Sequence, residues 1–282
     1  MPRNPKSTKP AGSPPAPGPD RQKHAGSDTL SVRQVEEKWG VRFPFPLAAP
    51  SSVLRAGLAE NSVFLADYFP EIAILFFETE ACLAYTEEDM PPSLADLPCT
   101  WHVHMPLDLP WQAGFETVWR KIDGLVDKLA PVSPRVYVLH PPTAPDMLLP
   151  LADRLRDKGV DPARFLIENV GQCNLTRVWD EVVEGGYSAC LDIGHIQAYG
   201  QRDILQLPGL WDRVRMLHIY GAERDMRHWP LRELDPVGQV LLRAMLDRAS
   251  DFTVTIELFR KEELFDSLDL LGRWFADWSE KK

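Results

Sequence analysis

The seven histidines of this chain are not scattered. His102 and His104 alternate in TWHVHMPLDLPW, and His140 closes RVYVLHP. His195 follows Asp192 in CLDIGH, His218 sits in MLHIYG and His228 in RHWPL. Only His24 stands apart. Carboxylates keep the same company: Glu78 after ILFF, Glu168 in LIENVG, Asp192 in CLDIG and Glu257 in TIELF. A lone histidine more often fills a polar slot in a core. Six beside four carboxylates, each at the end of an apolar run, reverse that preference. A buried carboxylate needs a partner or a metal, because burying an unpaired ion is very costly. Imidazole mixed with carboxylate suits Zn2+, Mn2+ or Fe2+ rather than Mg2+ or Ca2+ alone. The chemistry on offer is that of divalent cations.

Something must bring these residues to one place. From residue 42 onward, short runs rich in apolar and β-branched residues alternate with helical stretches. Strands are expected at 43–50, 72–78, 100–106, 135–141, 164–170, 188–194, 213–221 and 252–259. Helices are expected at 115–129, 148–159, 175–186 and 237–249, with a last one closing the chain. Gly159 and Gly185–Gly186 sit where helix stops belong. Strand–helix alternation implies a parallel sheet. Eight units over this length fit a single (β/α)8 TIM barrel, an α/β fold whose catalytic face lies at the C-terminal ends of the strands. An open doubly wound sheet is the runner-up, but no Gly-rich loop follows the first strand. In the barrel, every residue named above except His24 converges on one mouth. His102 and His104 share a face because strand side chains alternate.

The rest of the chain bounds the problem. Residues 1–28 are rich in Pro, Gly, Ser and Lys and read as a disordered tail. Its Arg3, Lys6, Lys9, Arg21 and Lys23 against Asp20 give it a basic character. Residues 29–41 read as a helical segment, with Ser27 or Asp28 as the cap and Gly40 as the stop. Residues 42–282 form the catalytic barrel. With 44% hydrophobic and 26% charged residues among 282, the composition is ordinarily globular. The net charge of −10 and pI of about 5.2 oppose a nucleic-acid partner. No apolar run of membrane length and no signal-peptide core occur, so a cytoplasmic protein with no membrane and no obligate protein partner is expected. Cys82, Cys99, Cys173 and Cys190 form no CxxC pair and read as reduced thiols. No G-x-S-x-G elbow occurs. Glu168 with Glu257 could form a glycosidase pair, but that leaves His140, Asp192 and His218 unexplained.

The motifs HVHMPLDL, VLHPP, LIENVGQ, CLDIGHIQAYG, MLHIYG and TIEL, in this order over residues 42–275, resemble the xylose isomerase-like barrel superfamily, which includes endonuclease IV-type enzymes and sugar isomerases and epimerases. LFFE, HVHMPLDL and LDIGH-x3-YG look most like the cobamide-remodelling phosphodiesterase (CbiR) family. That resemblance implies a metal-dependent phosphodiesterase. It would cut the nucleotide loop of a corrinoid substrate to a cobinamide phosphate and an α-riboside with two or more Zn2+, Mn2+ or Fe2+ ions. It implies His104, His140, Glu168, Asp192, His195, His218, His228 and Glu257 as ligands, with Glu168 bridging. His102, one pleat deeper, is not the motif position. Endonuclease IV-type sites carry an Asp two residues before the loop His. Here Met226 stands there, between Asp225 and Arg227, so a third cation lacks its carboxylate unless Asp225 turns inward. Glu168, Glu257 and Arg227 are the expected catalytic residues, and Glu78, Trp111, Tyr199 and Arg224 the expected substrate contacts. Trp101 and Trp229 are further candidates for stacking. The superfamily's isomerases instead hold a single cation with the equivalents of Glu168, Asp192, His218 and Glu257. A sugar isomerase or epimerase is therefore the alternative, with the two carboxylates Glu168 and Glu257 exchanging protons with a sugar carbon. A DNA endonuclease and a non-catalytic corrinoid carrier fit less well, the first against the acidic charge and the second against so many ligands.

Overall fold

The computed structural model of the protein describes residues 29–171, 173–248 and 252–279. The basic tail lies outside them. Eight parallel strands close into a barrel: β1 (Leu47–Pro50), β2 (Glu71–Leu75), β3 (Thr100–His104), β4 (Tyr137–Leu139), β5 (Phe165–Glu168), β6 (Ser188–Asp192), β7 (Val214–Ile219) and β10 (Thr253–Ile256). The order around the barrel is β1-β10-β7-β6-β5-β4-β3-β2, with β1 and β2 paired to close it. Outside it lie α1 (Val32–Trp39), α2 (Leu58–Ala66), α3 (Thr79–Leu83), α4 (Phe115–Leu129), α5 (Leu148–Asp157), α6 (Trp179–Gly185), α7 (Ile193–Ala198), α8 (Leu210–Arg213), α9 (Pro236–Leu246) and α10 (Lys261–Ser279). No helix among the described residues is long and apolar enough to cross a membrane.

The two-residue period of a strand sorts the barrel interior into layers. Val138, Leu166, Cys190 and Met216 pack together as an apolar plug inside the barrel. Two residues further along the same strands or just beyond them stand His140, Glu168, Asp192 and His218. The plug is the floor of the site. The opposite set of strand residues, such as Val103, Leu139, Ile167 and Leu191, packs against the helices. Trp101 belongs to that outer set and is buried there, so it is not at the mouth.

The eight strands lie where expected but are shorter. β1 begins only at Leu47, because Pro44 and Pro46 have no N–H to give a ladder. Phe43 and Phe45 instead pack on Phe275 of α10, with ring centroids 5.0 and 5.8 Å away. β6 stops at Asp192 rather than running to Gly194. Asp192 Oδ1 accepts the His195 N–H at 2.7 Å and so caps α7. Gly194 is required there, since a Cβ would lie 2.0 Å from the Tyr220 ring. The first helix is capped by Ser31 in a reciprocal box with Gln34, not by Ser27 or Asp28, which lie outside the described residues; Gly40, in the left-handed region, ends it.

After β7 the chain makes a hairpin that the alternation of strands and helices does not announce. β8 (Ala222–Arg224) pairs antiparallel with β9 (Arg227–Trp229). Asp225 and Met226 form its two-residue turn, both at positive φ (52° and 56°), the geometry that matches strand twist in tight hairpins.

Candidate metal centre

Glu168 is the hub. Its carboxylate is buried at the end of β5, and three imidazoles reach it. His104 Nε2 and His140 Nε2 lie 3.3 and 3.2 Å from Oε2, while His218 Nδ1 lies 2.8 Å from Oε1. His218 Nδ1 is also 3.3 Å from Glu257 Oε2. Four sets of side chains bring their ligand atoms within 4.8 Å of one another: His104–His140–Glu168, His104–His218–Glu257, Glu168–Cys190–His218 and Glu168–Asp192–His218–Glu257. The first and last share Glu168 alone.

Hydrogen bonds to the main chain orient the imidazoles. His104 Nδ1 donates to Met105 O at 2.9 Å, His195 Nδ1 to Asn169 O at 2.8 Å and His228 Nδ1 to Glu257 O at 2.9 Å. A carbonyl can only accept, so each Nδ1 carries the proton and each neutral ring presents a lone pair at Nε2. His104 Nε2 then faces a carboxylate oxygen. Two acceptors at that distance require a proton or a cation between them. Asp192 Oδ2 is buried with no hydrogen-bond partner, which leaves a charged oxygen for a cation to satisfy. By these two observations the residues fit a divalent metal.

Electrostatics agree. Burial opposes ionisation of Glu168, but the charges and hydrogen bonds of His218, His104 and His140 outweigh it and hold the carboxyl well below its ordinary range. Glu257 is likewise buried, and His218 and His228 hold it down to about 2. Asp192, with burial dominant and Glu168 and Glu257 nearby, is pushed up to about 6. Burial disfavours the charged forms of His104 and His218, yet their carboxylate neighbours, and for His218 also Cys190, raise both. His140 is pushed down by burial despite Glu168. Burial lifts the Cys190 thiol to about 12, so it stays protonated on the floor of the site.

His195 and His228 stand beside this inner cluster, their ring centroids 6.3 Å apart. They are in none of the compact sets. The hairpin supplies a carboxylate beside them, Glu223. Its Oε2 lies 3.2 Å from His195 Nε2, and it faces His228 across the hairpin. Asp225 does not turn inward: it sits in the exposed turn, and Met226 beside it is 95% exposed. The hairpin brings Glu223, rather than Asp225, to the side of His228 and His195. Burial opposes the charge on His195, but Asp192 and Glu223 prevail and raise it to about 10. Tyr220 stacks on His228 at 3.8 Å. Asn169, beside Glu168, accepts the Asp192 N–H and donates to the Asp192 carbonyl, so it ties the ends of β5 and β6 together.

The remaining expected residues are dispersed. Arg227 pairs with Glu263, Arg224 pairs with Glu233, and both guanidiniums lie over the Trp229 ring. Glu78 is exposed at the start of α3. The Tyr199 hydroxyl donates to Glu223 at 2.7 Å. Trp111 is buried in the wall of a cavity that reaches His140.

The two histidines of TWHVH separate clearly. His102 is fully buried, with Nδ1 2.7 Å from Glu71 Oε1, and Glu71 also takes the Thr253 hydroxyl at 3.0 Å. His104→Ala should lose one equivalent of bound metal by elemental analysis. His102→Ala should keep most of it but melt earlier, by about 2 kcal/mol of stability, since Glu71 loses its nearest partner and keeps only Arg135 and two threonine hydroxyls. Equal metal loss in both variants would show that the division is wrong.

No protein-family model matches the chain, and no curated protein does. Solved structures share its fold. A D-tagatose 3-epimerase-like protein superposes with a TM-score of 0.65 at 17% identity, over 84% of this chain and 99% of its own. A 3-keto-D-glucoside 4-epimerase from E. coli gives 0.59 at 13%, over 83% and 99%. A xylose isomerase domain-containing protein from Salmonella typhimurium gives 0.60 at 12%, over 83% and 97%. What they share with this chain is the closed parallel barrel with helices outside it. None of these three structures is a cobamide-remodelling enzyme.

Proposed function

We propose that the chain is a metal-dependent phosphodiesterase. The observation that carries this reading is the sharing of Glu168 between two ligand sets. His104, His140 and Glu168 would hold one divalent cation, and Glu168, Asp192, His218 and Glu257 another. Cations there would supply Lewis acidity toward phosphoryl oxygens and acidify a water molecule near neutral pH. The protein's part is to keep Glu168 and Glu257 ionised, to aim Nε2 of His104 inward through the Met105 carbonyl, and to fix Asp192 through Asn169. His195 Nε2 lies 3.2 Å from Glu223 Oε2 at the edge of the cluster, where a cation would displace its proton. The motif resemblance extends the reading to the nucleotide loop of a cobamide.

A second reading has its own support. Glu168, Asp192, His218 and Glu257 suffice for a single-cation sugar isomerase or epimerase, and the named structural neighbours include epimerases. His104 and His140 then have no assigned task, which is why it stands second. The deciding experiment is to incubate metal-loaded protein with bis(p-nitrophenyl) phosphate, a set of cobamides and D-tagatose, and to count bound metal. Phosphodiester cleavage with more than one equivalent of metal is expected. Sugar epimerisation with no phosphodiester cleaved would establish the second reading instead.

A further inference from the structure

The N-terminal end of the barrel, away from the metal centre, holds a second space of about 480 Å3. It opens among the first residues of β2, β6, β7 and β10 and the turns that lead into β4 and β5. The apolar plug, with Val136 packed on it, separates this space from the imidazoles and carboxylates at the other end. The volume is that of a small-molecule site. A chain of net charge −10 gathers three arginines around it, Arg135, Arg164 and Arg215. Arg135 and Arg215 are exposed, so solutes reach the space. Among the described residues Glu71 is the one carboxylate that lines it, and Arg135 Nη1 lies 3.4 Å from Glu71 Oε2. Burial opposes the charge on Glu71, but His102, Thr253 and Arg135 hold it ionised. Arg164 and Arg215 pair with no carboxylate among the described residues. Arg164 donates from Nε to the Arg135 carbonyl at 3.1 Å and from Nη2 to the Pro134 carbonyl. Arg215 donates from Nη1 to the Val214 carbonyl at 2.8 Å. These bonds tether the guanidiniums to the rim, yet each uses only one or two of the five N–H donors that a guanidinium carries.

We propose that this end of the barrel binds a phosphate dianion, either inorganic phosphate or the phosphate of a small phosphomonoester, through Arg135, Arg164 and Arg215. Three guanidiniums against one carboxylate leave two positive charges uncompensated, which a dianion matches. The fork of a guanidinium fits phosphate oxygens, and a phosphate has an oxygen for each of the three arginines where a carboxylate has only two in all. Apolar walls around the charges strengthen their field. Pro46 and Phe252 offer such walls to the arm of an ester. The proposal does not depend on which reaction the metal centre performs.

The test is calorimetry on metal-loaded protein at pH 8 with inorganic phosphate, phenylphosphonate, which has no ester to hydrolyse, and succinate. One equivalent of phosphate or phenylphosphonate should bind at a site whose affinity falls about tenfold in Arg215→Gln and in Arg164→Gln, with metal content unchanged in both. Arg215→Gln breaks no ion pair among the described residues, so it should melt at the wild-type temperature without ligand. Phenylphosphonate bound more tightly than phosphate identifies a phosphomonoester as the ligand; phosphate bound as tightly or more so identifies the free ion. The same anions would meet cations at the other end of the barrel, so Glu168→Gln is the control and should keep the arginine-dependent site. Binding lost in Glu168→Gln but of wild-type strength in both arginine variants overturns the proposal. So does no binding of either phosphate compound at about 10 mM, or succinate bound more tightly than both.

Discussion

Glu168→Gln removes both cations at once: bound metal falls from about two equivalents to below one, and phosphodiester turnover drops by about 10^3-fold or more. Glutamine keeps the shape of the side chain but replaces one oxygen with an NH2 that cannot ligate, and it removes the charge. Both oxygens of Glu168 are engaged, Oε2 by His104 and His140 and Oε1 by His218. No isosteric change can therefore spare one set while disabling the other. His140→Ala is the control. It touches only the His104–His140–Glu168 set, so it should lose a single equivalent and abolish phosphodiesterase activity while leaving the four-residue set intact. A single-cation isomerase would survive His140→Ala and not Glu168→Gln. Two equivalents of metal retained in the Gln variant would end the proposal that Glu168 is shared.

Stripping the cations with a chelator should lower the melting temperature by about 10 °C at pH 8 for ions bound at roughly a thousandfold above their Kd. The gap should shrink toward pH 6. The sign comes from His195 and Asp192. The imidazole rises to about 10 in the folded metal-free protein, against about 6.5 when unfolded. Its contribution is complete below the unfolded value and is lost as pH climbs through the folded one, so the metal-free form weakens from pH 6.5 upward. Asp192 is raised to about 6, so its contribution is already gone by neutral pH. Cations must also displace protons from His104, His195 and His218 and find Asp192 ionised, so their binding strengthens over the same range. Both effects widen the gap with pH. A gap that widens toward acid, measured by calorimetry with and without chelator, would contradict the assignment of these residues to a cation.

The barrel and its mouth are legible in the sequence. The alternation of apolar runs with helical stretches is local, and so is the place where each run stops. The six inner residues are legible as one group because each lies within one residue of a strand's C-terminal end. The boundaries were less legible. β6 ends at Asp192 because that side chain caps the next helix, a bond formed only once the turn exists. β1 is short because two prolines cannot join a ladder, which the sequence does contain.

Strand periodicity by itself put His104, His140, Glu168, Asp192, His218 and Glu257 on the inner face, four of them above an apolar floor, since alternate residues of a strand point the same way whatever surrounds them. Only the tertiary structure decided which of them touch. The sharing of Glu168, the pairing of His102 with Glu71, the approach of Glu223 to His195 and the turning of His104 toward the site all depend on contacts between segments or on hydrogen bonds to main-chain carbonyls. Spacing along the chain cannot encode such contacts, because register between strands and the pairing of a hairpin are fixed by packing rather than by distance in sequence.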